Sequence, residues 1–232
     1  MTTLIIHGSP RTNGCSSTIA RNIANKFKSD EILEINLHKE KLPYCVGCLN
    51  CVKKGEEYCP HSDITLPLKE KMLKADLIIV ASPVYILHMS GQLKTFFDHY
   101  PTMFLIHRPE KLMFNKQVIV VATAAGPVCK KTLKEIKETF TFFGVTKTHT
   151  IGVPVQAENY ESINPKILED VDKKTNKIVK KVNKNFNKKK VSLKIRIWFR
   201  ISKLMQIKFS VSEVDYAHWQ NNNWLNRGRP WK

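Results

Sequence analysis

Four of the six cysteines lie within fifteen positions, Cys45, Cys48, Cys51 and Cys59, in the spacing C-x2-C-x2-C-x7-C with Pro60 directly after. Three thiolates at this spacing can ligate one cubane from a tight loop, with the fourth returning from a short excursion, the start and finish of a four-iron site. A zinc site is the second reading, although its cysteines usually come as two separated pairs. Inert thiols in a subunit contact are the third. A disulfide framework is not expected in a reducing compartment.

A second chemistry-bearing segment is Gly8 to Ser17, GSPRTNGCSS. Gly8 and Gly14 let the backbone turn tightly. Ser9, Thr12, Ser16 and Ser17 offer hydroxyls, and Arg11 supplies a fixed positive charge. A helix following such a loop presents free N–H groups and the positive end of its dipole to an anion. The loop is neither a GxxxxGK[ST] phosphate loop nor a GxGxxG dinucleotide loop. An ordinary capped turn is the alternative. A third segment, Ser82 to Ser90 (SPVYILHMS), could lie along a flat apolar ring, with Pro83 stiffening the exit and Tyr85 and Met89 offering ring contacts. A fourth, Thr123 to Pro127 (TAAGP), brings small residues that permit close backbone approach.

The elements that must position these loops alternate. Thr3–Ile6 reads as a strand stopped by turn residues, followed by a helix capped by Ser16 or Ser17 with Ile19, Ile23 and Phe27 on one face. Ile32–Leu37 alternates as a strand would. A helix near Leu66–Leu73 precedes the uninterrupted apolar run Ala75–Ser82, the mark of a strand covered on both faces. A helix at Ser90–His99, a strand at Gln117–Thr123, a helix at Lys131–Phe143 and a strand at Lys147–Val153 follow, then a long charged helix from Asn164 to about Asn187. This pattern predicts an α/β, flavodoxin-like, doubly wound five-stranded parallel sheet in the order 2-1-3-4-5. Its ligand crevice would open between strands one and three, where the first two loops converge.

Residues 1–190 are expected to form that domain, with the cysteine loop at 43–63, and residues 191–232 a basic, aromatic helical extension. The chain is 232 residues with 42% hydrophobic content and only 9 Gly and 11 Pro, which excludes disorder and collagen-like repeats. Its longest apolar runs fall short of the ~20 residues a membrane span needs. The opening residues MTTLIIHGSP read as no secretory signal, so a cytoplasmic location is expected. The net charge is +18, and Lys166–Lys208, with 15 Lys/Arg against 3 Asp/Glu, holds +12 of it. Within that stretch Leu193, Ile197, Ile201, Leu204 and Lys208 share one helical stripe, with Trp198 and Met205 beside it. Packing against the fold or a second subunit is favoured over a membrane surface, and nucleic acid comes last.

The residues carry a resemblance. GSPRTNGCSST resembles the GSPRxxGNT loop of the NADPH-dependent FMN reductase-like family, and SPVYILHMSGQLKTFFDH resembles its SPVYxxxxxxxLKxFxDR segment. YCVGCLNCVKKGEEYCPHSDI is similar to the cysteine loop of its iron–sulfur flavoprotein branch, and the stretch from Asp215 to Leu225 resembles an ending common among relatives. Cys15, Leu87-His88 and His99 depart from the pattern. The resemblance implies a flavodoxin-like fold, FMN, and a homodimer or dimer of dimers. By it, Ser9, Arg11, Ser16 and Ser17 would hold the FMN phosphate. Pro83, Val84 and Tyr85 would flank the isoalloxazine with Thr123 and Gly126 nearby, and Cys45, Cys48, Cys51 and Cys59 would ligate a [4Fe–4S] cluster. The expected function is electron transfer from NAD(P)H to a small acceptor such as a quinone, flavin or nitro compound, with no catalytic acid or base. The alternatives are an iron–sulfur flavoprotein fed by ferredoxin, and a non-enzymatic module whose tail docks on membrane or nucleic acid. A receiver domain is disfavoured, because the first strand ends His7-Gly8-Ser9 without paired acids for Mg²⁺.

Overall fold

The computed structural model describes residues 1–186, 191–210 and 212–231. Five strands, β1 (Thr2–His7), β2 (Glu31–Asn36), β3 (Leu77–Pro83), β4 (Gln117–Ala124) and β5 (Lys147–Pro154), form one parallel sheet. Its order is β2-β1-β3-β4-β5, the flavodoxin-like arrangement. The continuous apolar runs of β3 and β4 occupy its middle, where both faces are covered. Leu4, Ile6, Ile78 and Val80 turn one way, toward α3 (Ser62–Lys74), α4 (Gly91–Asp98) and α5 (Cys129–Phe142). Ile5, Ile79, Ile119 and Val121 turn the other way, toward α1 (Cys15–Ala24) and α6 (Pro165–Asn185). The period-two alternation of strands thus builds two cores. A short helix, α2 (Asn50–Lys53), lies inside the cysteine loop.

Several boundaries differ from the sequence expectation. Helix α1 begins at Cys15 with Gly14 as its extended N-cap, and Ser16 and Ser17 lie inside its first turn instead of capping it. Gly14 serves because its backbone folds against Arg11, donating to that carbonyl at 3.1 Å. Helix α3 starts at Ser62, ahead of the expected Leu66, and carries Pro67 within it. Helix α5 starts at Cys129. Asn187 and the boundary expected at residue 190 lie outside the described residues.

The extension folds into α7 (Leu193–Phe209) and α8 (Glu213–Asn221). Phe199 stacks on Trp219 with ring centroids 4.8 Å apart and meets Phe114 edge-on, and Ile195, Trp224 and Leu105 complete a third core. Helix α7 therefore docks through Ile195, Phe199, Ser202 and Gln206. The stripe picked out by sequence, Leu193, Ile197, Ile201 and Leu204, faces outward. Both faces of α7 are apolar, and the tryptophans of α8 and the chain end decide which one is covered. Among the described residues, no helix is long and apolar enough to cross a membrane.

Candidate functional site

At the carboxyl ends of β1 and β3, which are neighbours in the sheet, a cleft of about 200 Å³ opens. Ser9, Arg11, Gly14, Cys15 and Ser16 line it from the first loop. Pro83, Val84 and Tyr85 enter from the end of β3, Thr123, Ala124 and Ala125 from β4, and Val155, Ala157 and Glu158 from beyond β5.

The first loop is held by its own backbone. Gly8 donates to Ala81 O at 2.8 Å, and a Cβ at Gly8 would fall 2.8 Å from Ser90 Oγ. Ser9 Oγ accepts from Arg11 N at 3.1 Å, which leaves the Ser9 hydroxyl hydrogen free to donate into the cleft. No side chain caps α1, so the N–H groups of its first turn remain to serve an anion. The Arg11 guanidinium spans to Glu158 O at 3.2 Å, tying the loop after β1 to the segment after β5.

The turn after β3 is strained. Tyr85 and His88 exchange backbone hydrogen bonds of 3.0 Å, closing a two-residue turn whose central Ile86 and Leu87 have φ of +46° and +66°. A β-branched residue in the left-handed region is a genuine outlier, and such strain gathers at ligand sites. Ile86 is 92% exposed at the tip. His88 is pinned from below by Glu135 at 2.7 Å and Lys131 at 2.9 Å.

Of the residues named from sequence, Ser9, Arg11, Ser16, Pro83, Val84, Tyr85 and Thr123 meet at this cleft. Ser17 and Gly126 do not line it. Ser17 is fully buried and its hydroxyl donates to Arg11 O at 3.5 Å. A Cβ at Gly126 would meet no protein atom within 4 Å. Sequence reading missed the bracing behind the loop. Arg21 donates to Thr12 O at 2.7 Å while gripping both carboxylate oxygens of Glu34 at 2.9 and 2.8 Å. That hydrogen-bonded grip holds the Glu34 carboxyl below the usual range. Glu34 in turn meets His7 Nε2 at 3.2 Å, and burial pushes the His7 imidazole down, toward its neutral form. Arg21 lies one turn beyond the loop motif, and nothing in its own segment marks its partner on β2.

No residue of the cysteine loop lines this cleft. Cys45 and Cys48 are exposed, Cys51 and Cys59 half-buried, and all four are free thiols. Burial raises the Cys51 thiol first, and the thiols of Cys59, Cys45 and Cys48 add to it. Four thiols are the donor type an iron–sulfur cluster takes.

A family model for NADPH-dependent FMN reductase matches residues 1–157. The chain belongs to that family. An iron–sulfur flavoprotein of Archaeoglobus fulgidus is 32% identical over 130 residues, covering 53% of this chain and 55% of its own length, so the match spans about half of that relative. An iron–sulfur flavoprotein of Clostridioides difficile is 28% identical over 181 residues, 76% of each chain. In fold, the chain is similar to an FMN-dependent NADH-azoreductase of Bacillus anthracis solved in complex with FMN. That likeness has a TM-score of 0.58 at 13% identity over 77% of this chain and 99% of that one.

Proposed function

We propose that the chain is an FMN-dependent oxidoreductase, passing electrons from NAD(P)H to a small acceptor such as a quinone, a flavin or a nitro compound. The observation that carries this is the meeting of an uncapped helix N-terminus, Arg11 and the Ser9 hydroxyl in one cleft at the sheet's crossover mouth. FMN, when bound, supplies the hydride and single-electron chemistry. The chain's own work is binding and orientation. The α1 amides, Ser9, Ser16 and Arg11 would hold the phosphate, and Ser17 supports that loop through its bond to Arg11 O. Pro83, Val84 and Tyr85 would flank the ring, with Thr123 nearby. No side-chain acid or base is required.

Membership of the NADPH-dependent FMN reductase family supports this reading, and the clustered thiols with the match to iron–sulfur flavoproteins favour a second one. In it, Cys45, Cys48, Cys51 and Cys59 hold a [4Fe–4S] cluster that takes electrons from ferredoxin. We further infer a cytoplasmic homodimer in which a second copy covers the outward stripe of α7.

The deciding experiment is an absorbance spectrum of freshly purified protein, followed by calorimetric titration of apoprotein with FMN. Saturable binding and flavin reduction on anaerobic mixing with NADPH or NADH support the first reading. Flavin reduced only by ferredoxin, with iron and acid-labile sulfide lost in Cys48→Ser, supports the second. A colourless protein that takes up no FMN overturns both.

A further inference from the structure

Cys59 and His61 stand where the cysteine loop enters α3, and His99 is the residue that closes α4. One ligand atom from each lies within 4.8 Å of the other two, the one such set among the described residues. The three come from two separate segments, brought together because α3 and α4 cover the same face of the sheet.

His99 is built as a ligand. It is 7% exposed, and its Nε2 lies 2.8 Å from Pro43 O. A carbonyl oxygen only accepts, so Nε2 donates, and in the neutral ring Nδ1 is the atom left with a lone pair. That Nδ1 is buried and has no partner. A buried polar atom without a partner costs free energy and calls for an explanation. The ring of His61 stands edge-on to His99 with centroids 5.2 Å apart, and Cys59 beside them is a free thiol. A backbone carbonyl on one imidazole nitrogen is also the usual device that fixes the tautomer of a metal-binding histidine.

We propose that Cys59, His61 and His99 bind a single divalent transition-metal ion of the zinc class. Two imidazoles and one thiolate suit a borderline-soft ion, whereas calcium and magnesium demand oxygen ligands that this set lacks. On binding, the Cys59 thiol releases its proton to solvent and the thiolate sulfur donates to the metal. Both imidazoles donate lone pairs, and the metal's oxidation state does not change. Solvent completes the tetrahedron. The ion clasps the end of the exposed cysteine loop to the end of α4, with the Pro43 carbonyl steering His99. This inference does not depend on the flavin reading, and it competes with the four-cysteine cluster for Cys59.

The experiment uses the full chain, stripped with chelator and kept reduced and anaerobic, then titrated with Co²⁺ and back-titrated with Zn²⁺. The expected result is one equivalent of tetrahedral cobalt with a thiolate-to-metal charge-transfer band, displaced by zinc. Cys59→Ser abolishes the band, and His61→Ala and His99→Gln each weaken binding by at least about tenfold. Cys45→Ser and Cys48→Ser leave it unchanged. Circular dichroism and FMN affinity establish that each variant is folded, and His61, being half-exposed, provides the variant that does not open the core. Wild-type cobalt affinity in both histidine variants, or a band lost in Cys48→Ser, overturns the proposal and returns Cys59 to the four-thiol set. No charge-transfer band in wild type overturns it as well.

Discussion

Asp215 has no exposed surface, and Arg108 pairs with it while reaching back to the carbonyls of Cys51 and Val52. One guanidinium thus fastens α8, near the end of the chain, to the cysteine loop. His107 adds a contact of 2.7 Å to Asp215, and Trp219 donates from its indole to His107 O at 2.6 Å. The extension is consequently more than a charged appendage.

Removing one partner of a buried pair leaves the other charge uncompensated, at a cost of roughly 3–5 kcal/mol. Asp215→Asn is therefore expected to lower unfolding free energy by about that amount in urea. It should also speed alkylation of Cys51 while leaving FMN affinity near wild type. Unchanged Cys51 reactivity in a destabilised variant would show that Arg108 does not hold the loop.

Arg11 reaches across the cleft mouth to Glu158, so its charge is placed for an anion and not for proton transfer. A charge-assisted hydrogen bond contributes about 1.5–3 kcal/mol, so Arg11→Ala should weaken FMN retention roughly 10- to 100-fold. Turnover of flavin-saturated protein should change little. Fluorescence titration and steady-state rates at saturating FMN separate the two. A fall in turnover with flavin still bound defeats the role given to Arg11.

The fold was largely legible because its signals are local. The apolar runs at 77–81 and 118–124 are too continuous for a half-exposed strand, and the loop after β1 announces itself by Gly8 and Gly14. Much of the candidate site followed, since crossover topology alone places the loops after β1 and β3 together. What sequence hid was long-range. Arg21 braces Thr12 through a partner on β2, His99 meets Cys59 only through the packing of α3 and α4, and Asp215 finds Arg108 across 107 positions. The docking face of α7 was also hidden, because two apolar faces compete and periodicity cannot choose between them.

The outward face of α7 leaves Leu193, Ile197, Ile201 and Leu204 between 39% and 71% exposed. A contiguous apolar surface of this kind normally marks an interface. A homodimer burying it should dissociate in Leu204→Glu, read as a halved mass in sedimentation equilibrium with FMN content preserved. A monomeric wild type that binds anionic vesicles would instead hand this face to a membrane.

Gly8 and Gly126 should respond oppositely to alanine. At Gly8 the new methyl meets Ser90 Oγ at 2.8 Å and Ala81 O at 3.1 Å. Neither can retreat freely, because Ser90 caps α4 through Leu93 N and Ala81 O accepts from Gly8 itself. Gly8→Ala should cost about 1–3 kcal/mol and weaken FMN binding by displacing the loop. Gly126→Ala, facing open space, should stay within about 0.5 kcal/mol of wild type. A loss of FMN affinity in the latter would place Gly126 against the flavin.

Lys116 gives a pH signature. Its ammonium donates to Leu73 O at 2.7 Å and to Ala75 O, and burial pushes its pKa down from 10.5 to about 8. Below that value both folded and unfolded chains hold the proton, and the folded chain bears the cost of a buried charge. Between 8 and 10.5 the folded lysine releases its proton while the unfolded one keeps it. The unfolded state then binds more protons, so this group makes stability rise with pH across that window, by ~3 kcal/mol in all. Cys15, Cys51, Cys129 and Tyr100 act in the opposite sense, because burial raises each of them. The quantity to measure is therefore wild type minus Lys116→Met in urea at successive pH values. Those opposing groups cancel in the difference, and the carbonyls left unpaired in the variant add only a constant. The difference should move in favour of wild type as pH climbs through the window. Parallel curves would show that Lys116 keeps an ordinary pKa in its pocket.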